Sequence, residues 1–290
     1  RENITLADAI NTALTAPTTI CPSESVTISV ATTSQATYTF YVGGTQQQES
    51  SSATFTTTGI SRTSSVVITI TNASGCSETV STVINVVDLE DGGSITPTNS
   101  TICMGGDSPS ISNLVSATLE DYSSAASITY FWEQSFDTVS WTTVAGTESS
   151  LAVAAVTGIV TTTYFRRGAE VVNGDSDSCE ILYTIPITVN VEASITPTIS
   201  SSTGAFTFCV GDSPTFESQT IPAGVVTYTW SYFNGTSTVT STGTGTTTEV
   251  TIVANGYIQL DILTAAGCEY TTRENITLAD AINTALTAPT

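Results

Sequence analysis

Cysteines at positions 21, 76, 103, 179, 209 and 268 are the side chains of this sequence best suited to covalent chemistry, and they keep unusual company. The chain has no histidine and no lysine. Without histidine there is no Ser–His–Asp or Cys–His nucleophile and no ordinary catalytic zinc. Without lysine there is no Schiff base, no Ser–Lys dyad and no Lys–Asn isopeptide bond. The six cysteines form no C-x-x-C pair, so a zinc site is not indicated. An even number at regular intervals, in an acidic Thr-rich chain, points to disulfides and an oxidising, extracellular compartment.

Carboxylates are the other reactive class. Two of them suffice for glycoside hydrolysis, but here the acids fall in turns and joints rather than in a site, and an enzyme is not expected. Gly235-Thr-Ser and Gly243-Thr-Gly245 lack the strand–loop–helix context and the lysine of a phosphate loop. Two acidic clusters raise calcium as the one conceivable cofactor: Asp88, Glu90 and Asp91 in a joint, and Asp175 and Asp177 in the turn before Cys179. The second has the alternating ligands that open a calcium loop, yet it lacks the glycine and the distal glutamate. That favours solvated turn acids over metal ligands.

Composition sets the frame for these residues. Five basic against 26 acidic residues give a net charge of −21, which argues against nucleic acid or an anionic bilayer as partner. No run reaches the length of a membrane-spanning helix, so direct membrane insertion is not expected. The abundance of β-branched and aromatic residues separates the chain from disordered acidic tails.

The elements that must position the cysteines recur. Arg273–Thr290 repeats Arg1–Thr18 letter for letter, a period of 272 residues. The sequence therefore reads as one full period plus an overhang, cut from a longer array. Within the period, Cys21-Pro-Ser-Glu, Cys103-Met-Gly-Gly-Asp and Cys209-Val-Gly-Asp are variants of one word. A second word follows each: Thr37-Tyr-Thr-Phe40, Thr129-Tyr-Phe-Trp132 and Thr227-Tyr-Thr-Trp230. On a strand the tyrosine and the terminal ring face the same way, with Ala36, Ile128 and Val226 extending that face. Val66, Ile68 and Ile70, then Ile258, Leu260 and Ile262, alternate with period two. Each second cysteine follows a short polar turn, and a last alternating strand is clearest at Ile185, Ile187, Val189 and Val191, with Pro186 on its outward face.

These signals predict an all-β chain of tandem immunoglobulin-like β-sandwiches in an extended repeat array. Residues 1–7 are read as the last strand of a preceding domain. Domains follow at 8–91, 92–192 and 193–279, and 280–290 open the next repeat. Pro-containing joints around Pro17, Pro97 and Pro197 are short and semi-rigid.

Disulfides within domains would join Cys21 to Cys76, Cys103 to Cys179 and Cys209 to Cys268. This pairing is favoured because the cysteines recur once per domain in each class. The competing pairing runs across a joint, as Cys21 with Cys179. If each first cysteine precedes the second strand and each second lies in the last hairpin turn, an ordinary immunoglobulin topology puts the two of one domain at opposite ends. Pairing within domains stays favoured, since a bond needs Cα atoms within about 7 Å.

The "IC-x-GDS" openings, the "YxW" strand and the "GC" before the final strand resemble the tandem Ig-like and PKD-like repeats of giant Bacteroidota surface adhesins, among them the SprB-like gliding adhesins. Ser135-Phe-Asp-Thr-Val-Ser-Trp141 and Thr163-Tyr-Phe-Arg-Arg167 add to the likeness, which covers all three domains. The resemblance implies type IX secretion, display on the outer surface attached to the outer membrane, and a role in adhesion or gliding. Neighbouring repeats of the same chain would be its partners, with surface glycans or other adhesin fibres beyond them. Structural fibre or stalk is the leading function. An array of glycan- or protein-binding modules, or a linker array of a secreted enzyme, is the alternative. An exposed aromatic at Trp141 would favour binding, and a buried one would make it core.

Overall fold

Along the strand Ser64–Thr71, Val66, Ile68 and Ile70 are fully buried while the residues between and beside them are partly or fully exposed, so the predicted period of two is realised. The structure, a computed structural model, describes residues 9–120, 127–144, 146–174, 176–220, 224–243 and 245–280. The segments 1–7 and 281–290, read above as flanking repeats, lie outside them, as does the side chain of Val226. Among the described residues every regular element is a strand, and the chain is all-β, built of tandem immunoglobulin-like β-sandwiches.

Two compact units divide the chain. The first comprises Arg1–Asn99, Pro109–Ala155 and Thr163–Thr188, and the second Ser100–Ser108, Val156–Thr162 and Val189–Thr290. The strand Ile187–Glu192 begins in one and ends in the other.

In the first unit, a three-stranded sheet orders Leu14–Thr15, Val26–Val30 and Thr54–Thr57. A five-stranded sheet orders Thr19–Ile20, Ser77–Val86, Ser64–Thr71, Thr37–Val42 and Thr45–Ser50. Ile28 from one sheet and Tyr38, Phe40, Ile68 and Ile84 from the other share a single apolar core, as a sandwich requires. The chain changes sheets at Pro17: Leu14 pairs with Val30, whereas Ile20 runs parallel to the last strand opposite Val86. Proline suits the crossing because it has no N–H to leave unpaired.

The second unit repeats the plan. Ile199–Ser201, Thr215–Ser218 and Thr247–Glu249 form its three-stranded sheet. Thr207–Phe208, Glu269–Leu278, Gly256–Thr264, Val225–Phe233 and Thr238–Gly243 form the five-stranded one. Phe208 runs parallel to the last strand opposite Leu278, and Phe216, Tyr228, Trp230 and Leu260 lie in its core.

The first unit also carries the hairpin strands Thr129–Ser135, Thr163–Val172 and Ser178–Tyr183, paired in series. Trp132 is fully buried, whereas Phe131 turns to the other face and lies over Gly168, its directly opposite residue. A Cβ at Gly168 would meet the Phe131 ring at 2.2 Å, so the glycine is what admits it.

Two readings need correction. Asp88-Leu-Glu-Asp91 is not a free joint: Leu89–Asp91 is a strand paired with Thr118–Leu119. Leu89 is 4% exposed in a cluster with Ala117, Ala169 and Val171, and that burial holds the segment down. Ile185, read as inward-facing, is 87% exposed. The strand starts only at Ile187, beyond Pro186, whose missing N–H removes a donor from the ladder.

Candidate functional site

The cysteines occupy two recurring loops, and backbone hydrogen bonds define both. The first cysteine of each set closes a tight turn in which residue i+3 donates its N–H to the cysteine carbonyl. Glu24 donates to Cys21 at 3.2 Å, Gly106 to Cys103 at 2.8 Å and Asp212 to Cys209 at 3.2 Å. In two of them the i+3 side chain returns the favour: the Cys21 N–H donates to Glu24 Oε2 and the Cys209 N–H to Asp212 Oδ2, each at 2.8 Å. This is why an acid follows the cysteine in the shared word, since a carboxylate satisfies an otherwise orphaned donor.

The second set lies at hairpin tips of one geometry. Asn72, Asn173 and Thr264 each donate N–H to the carbonyl four residues on, at Cys76, Asp177 and Cys268. Cys76 and Cys268 end their turns. Cys179 sits two residues later and is the extra residue of a bulge, because Val172 lies opposite Ser178 and Val171 opposite Glu180. A bulge re-aims a side chain and supplies here what the longer turn displaces.

Between these loops the structure forms Cys21–Cys179 and Cys103–Cys268, with Cα separations of 4.9 and 5.5 Å. The expected within-domain pairs are overturned, and the arrangement across a joint takes their place. The physical reason is the one that counted against them: the two loops of one sandwich lie at opposite ends. The sequence separations are 158 and 165 residues. Cys76 and Cys209 are unbonded and exposed.

Polar contacts flank each bond. Asn173 Nδ2 donates to Glu24 Oε2 at 3.1 Å, so one carboxylate caps the Cys21 turn and grips the tip preceding Cys179. Around Cys103–Cys268, Thr264 Oγ1 donates to Glu192 Oε2 at 3.1 Å while receiving the Cys268 N–H at 3.2 Å.

The described acids of the two clusters make local hydrogen bonds. Asp91 Oδ1 accepts from the Gly93 N–H at 2.7 Å, and Glu90 Oε2 from Thr118 Oγ1 at 3.4 Å. Asp88 hydrogen-bonds with Glu180, whose Oε2 also accepts from the Leu89 N–H at 3.1 Å. Burial, then the contact with Asp88, pushes the Glu180 carboxyl above its ordinary range. Asp177 contributes backbone groups to its turn, and Asp175 lies outside the described residues. Among the described residues no three acidic or cysteine side chains come together as a metal group. No helix there is long and apolar enough to cross a membrane.

Two arginines that the sequence reading passed over are structurally prominent. Arg166 pairs with Glu133 at 2.6 Å and stacks its guanidinium 4.1 Å from the Trp141 ring and 3.7 Å from the Tyr183 ring. Trp141 is thus half-buried beneath a cation, neither core nor free. Arg167 is fully buried, and its guanidinium donates to Asn113 Oδ1 and to the carbonyls of Ser149, Gly92 and Val115. Burial lowers its pKa. Only the double arginine of Thr163–Arg167 signalled either role, since adjacent strand residues must face opposite sides.

Residues 91–193 match a family described as a domain of unknown function (DUF8696). No curated protein matches the chain. Among solved structures, an I-band fragment of titin, I67-I69, is 13% identical, covering 90% of this chain and 94% of its own, with a TM-score of 0.40. A structure concerning host cell surface retention of a 1.5-MDa bacterial ice-binding adhesin is 12% identical, covering 93% and 99%, with a TM-score of 0.39. The insect immune protein hemolin is 10% identical, covering 93% and 77%, with a TM-score of 0.34. The sandwich assignment rests on the strand pairings described above and not on these likenesses.

Proposed function

We propose that this chain is a structural repeat of a long extracellular fibre or adhesin stalk on a bacterial surface, with three sandwiches to each 272-residue period. One observation carries the reading: each disulfide ties the opening loop of one set to the hairpin tip of the next. A bond between successive sets spans 158 or 165 residues, which favours an array of coupled repeats over a lone small domain closed on itself. The charge of −21 suits a fibre that must not bundle. The two disulfides support an oxidising, extracellular compartment. Display on the outer membrane and service in gliding, in the manner of the SprB-like adhesins it resembles, complete the proposal.

Small-angle scattering tests it. Three sandwiches end to end have a maximum dimension on the order of 100 Å from strand length. A value of about 50–60 Å, that of one compact globule, overturns the stalk. Calcium and chelator leave the dimension unchanged if the acids at 88, 90 and 91 only build local structure. A calcium-dependent change would make them ligands.

A second reading, an array that grips a glycan or protein, is favoured by the loop tip beside Trp141, where Phe136 is 66% and Val139 80% exposed. Loss of cell or glycan binding on Phe136→Ser, with the scattering dimension unchanged, would establish it.

A further inference from the structure

We propose that Cys209 forms a disulfide with Cys76 of the following copy of the same 272-residue unit, so that copies are covalently stapled in series. The inference rests on the array reading above and names the partner of its two exposed thiols.

Three observations carry it. The bonded pairs obey one rule: a first-loop cysteine joins the hairpin-tip cysteine of the next set, Cys21 to Cys179 and Cys103 to Cys268. Extended by one step, the rule sends Cys209 to the next hairpin-tip cysteine. Within the period that word is Ser74-Gly-Cys76, and the identity of Arg1–Thr18 with Arg273–Thr290 puts the same register one period on. The unbonded cysteines are therefore the first-loop cysteine of the last set and the tip cysteine of the first, and no others.

The loops agree with the rule. Cys209 has the i+3 turn and the acidic cap that Cys21 has, both caps at 2.8 Å. The Cys76 turn has the Cys268 hydrogen bonds: Asn72 N–H to the Cys76 carbonyl and Thr264 N–H to the Cys268 carbonyl, each at 3.0 Å. Each thiol is thus presented by a loop that elsewhere in this chain brings Cα atoms to 4.9–5.5 Å, the span a disulfide needs. Both are exposed, as a bond to a further copy requires.

Formation needs an oxidant, and an external disulfide, either a small-molecule one or that of a dithiol oxidoreductase, supplies it. The Cys209 thiolate attacks that disulfide and releases one thiol. The Cys76 thiolate of the following copy then attacks the Cys209 sulfur of the mixed disulfide and releases the second. Two protein thiols are oxidised and one external disulfide is reduced to two thiols.

A chain of two tandem copies, refolded in a glutathione redox buffer, tests the proposal by alkylation and peptide mapping. The expected result is two reactive thiols, Cys76 of the first copy and Cys209 of the second, and a mapped Cys209–Cys76 peptide between copies. Cys209→Ser in the first copy raises the thiol count to three, and the same change in the second lowers it to one. Four reactive thiols, none, or a Cys76–Cys209 bond within one copy would overturn it. Scattering from the same chain separates the two claims. An elongated two-copy chain with four thiols defeats the staple alone, and one no longer than a single copy defeats the array reading.

Discussion

Gly93 stands against Arg167. With φ at +77°, it brings its backbone so close to the buried guanidinium that a Cβ would lie 2.6 Å from Nη2 and 2.3 Å from the Val115 carbonyl oxygen. Gly93→Ala should cost about 1–3 kcal/mol from the left-handed backbone alone, plus the collision. Arg167→Ala leaves three carbonyls and an amide oxygen without this donor and should cost about 1–3 kcal/mol, the range for a buried polar group left unsatisfied. Urea unfolding followed by tryptophan fluorescence reads both. A loss below about 1 kcal/mol for Arg167→Ala would show the cation to be dispensable.

Two carboxylates of the first unit give opposite responses to acid. Asp137 accepts N–H bonds from Ser140 and Val139 and the Ser135 hydroxyl, which hold its pKa at about 2. Its contribution is present above the unfolded value of 3.8 and is lost as pH falls through about 2. Glu180 is displaced upward, first by burial, so its contribution is present below 4.5 and is lost as pH rises through its folded value. Melting temperature should therefore rise from neutral pH toward the ordinary carboxylate range and fall below it. Glu180→Gln should flatten the upper limb and Asp137→Asn the lower. Unaltered limbs in the two variants would refute the assignment.

Cysteine substitutions should separate sharply in the single-copy chain. Cys21→Ser opens a loop of 158 residues, worth about 5 kcal/mol in the chain-entropy model. Cys76→Ser removes an exposed, unbonded thiol and should change stability by less than about 0.5 kcal/mol. Chemical denaturation without reductant decides. Equal losses would mean that Cys76 is bonded in solution.

Stretching a single molecule should reveal the overlap of the two loops. Cys103 lies inside the loop closed by Cys21–Cys179, and Cys179 inside the loop closed by Cys103–Cys268. The shortest covalent route from end to end runs to Cys21, crosses to Cys179, returns to Cys103, and crosses to Cys268. That is roughly 120 residues, or about 400 Å fully drawn, against about 1000 Å for the reduced chain. Force spectroscopy with and without reductant measures both lengths. Equal lengths would exclude the bonds.

The sandwiches were legible in sequence because period-two alternation reports burial directly: Tyr38, Phe40, Val66, Ile68, Ile70, Tyr228 and Trp230 all face a core. Leu89 was not, since one apolar residue among acids carries no period, and only the arrival of Ala117 and Val171 makes it a strand. The cysteine positions were legible and the partners were not. A loop cysteine's partner depends on which end of a sandwich meets its neighbour, and no local pattern encodes that. Arg167 escaped for a related reason, because a buried cation held by backbone carbonyls and an amide oxygen calls for no complementary acid in the sequence.

The overlap of the two loops also bears on damage. Every peptide bond between Cys21 and Cys268 is enclosed by at least one disulfide loop, and those between Cys103 and Cys179 by both. A protease that cuts once, for instance after the exposed Arg62, produces two fragments that remain one molecule until the sulfur bridge is reduced. With Cys209 tied to the next copy, no interval along the array would be left uncovered. A filament so tied tolerates a nick anywhere along its length without parting, and losing its tip would take either chemical reduction or cuts on both sides of a bridge.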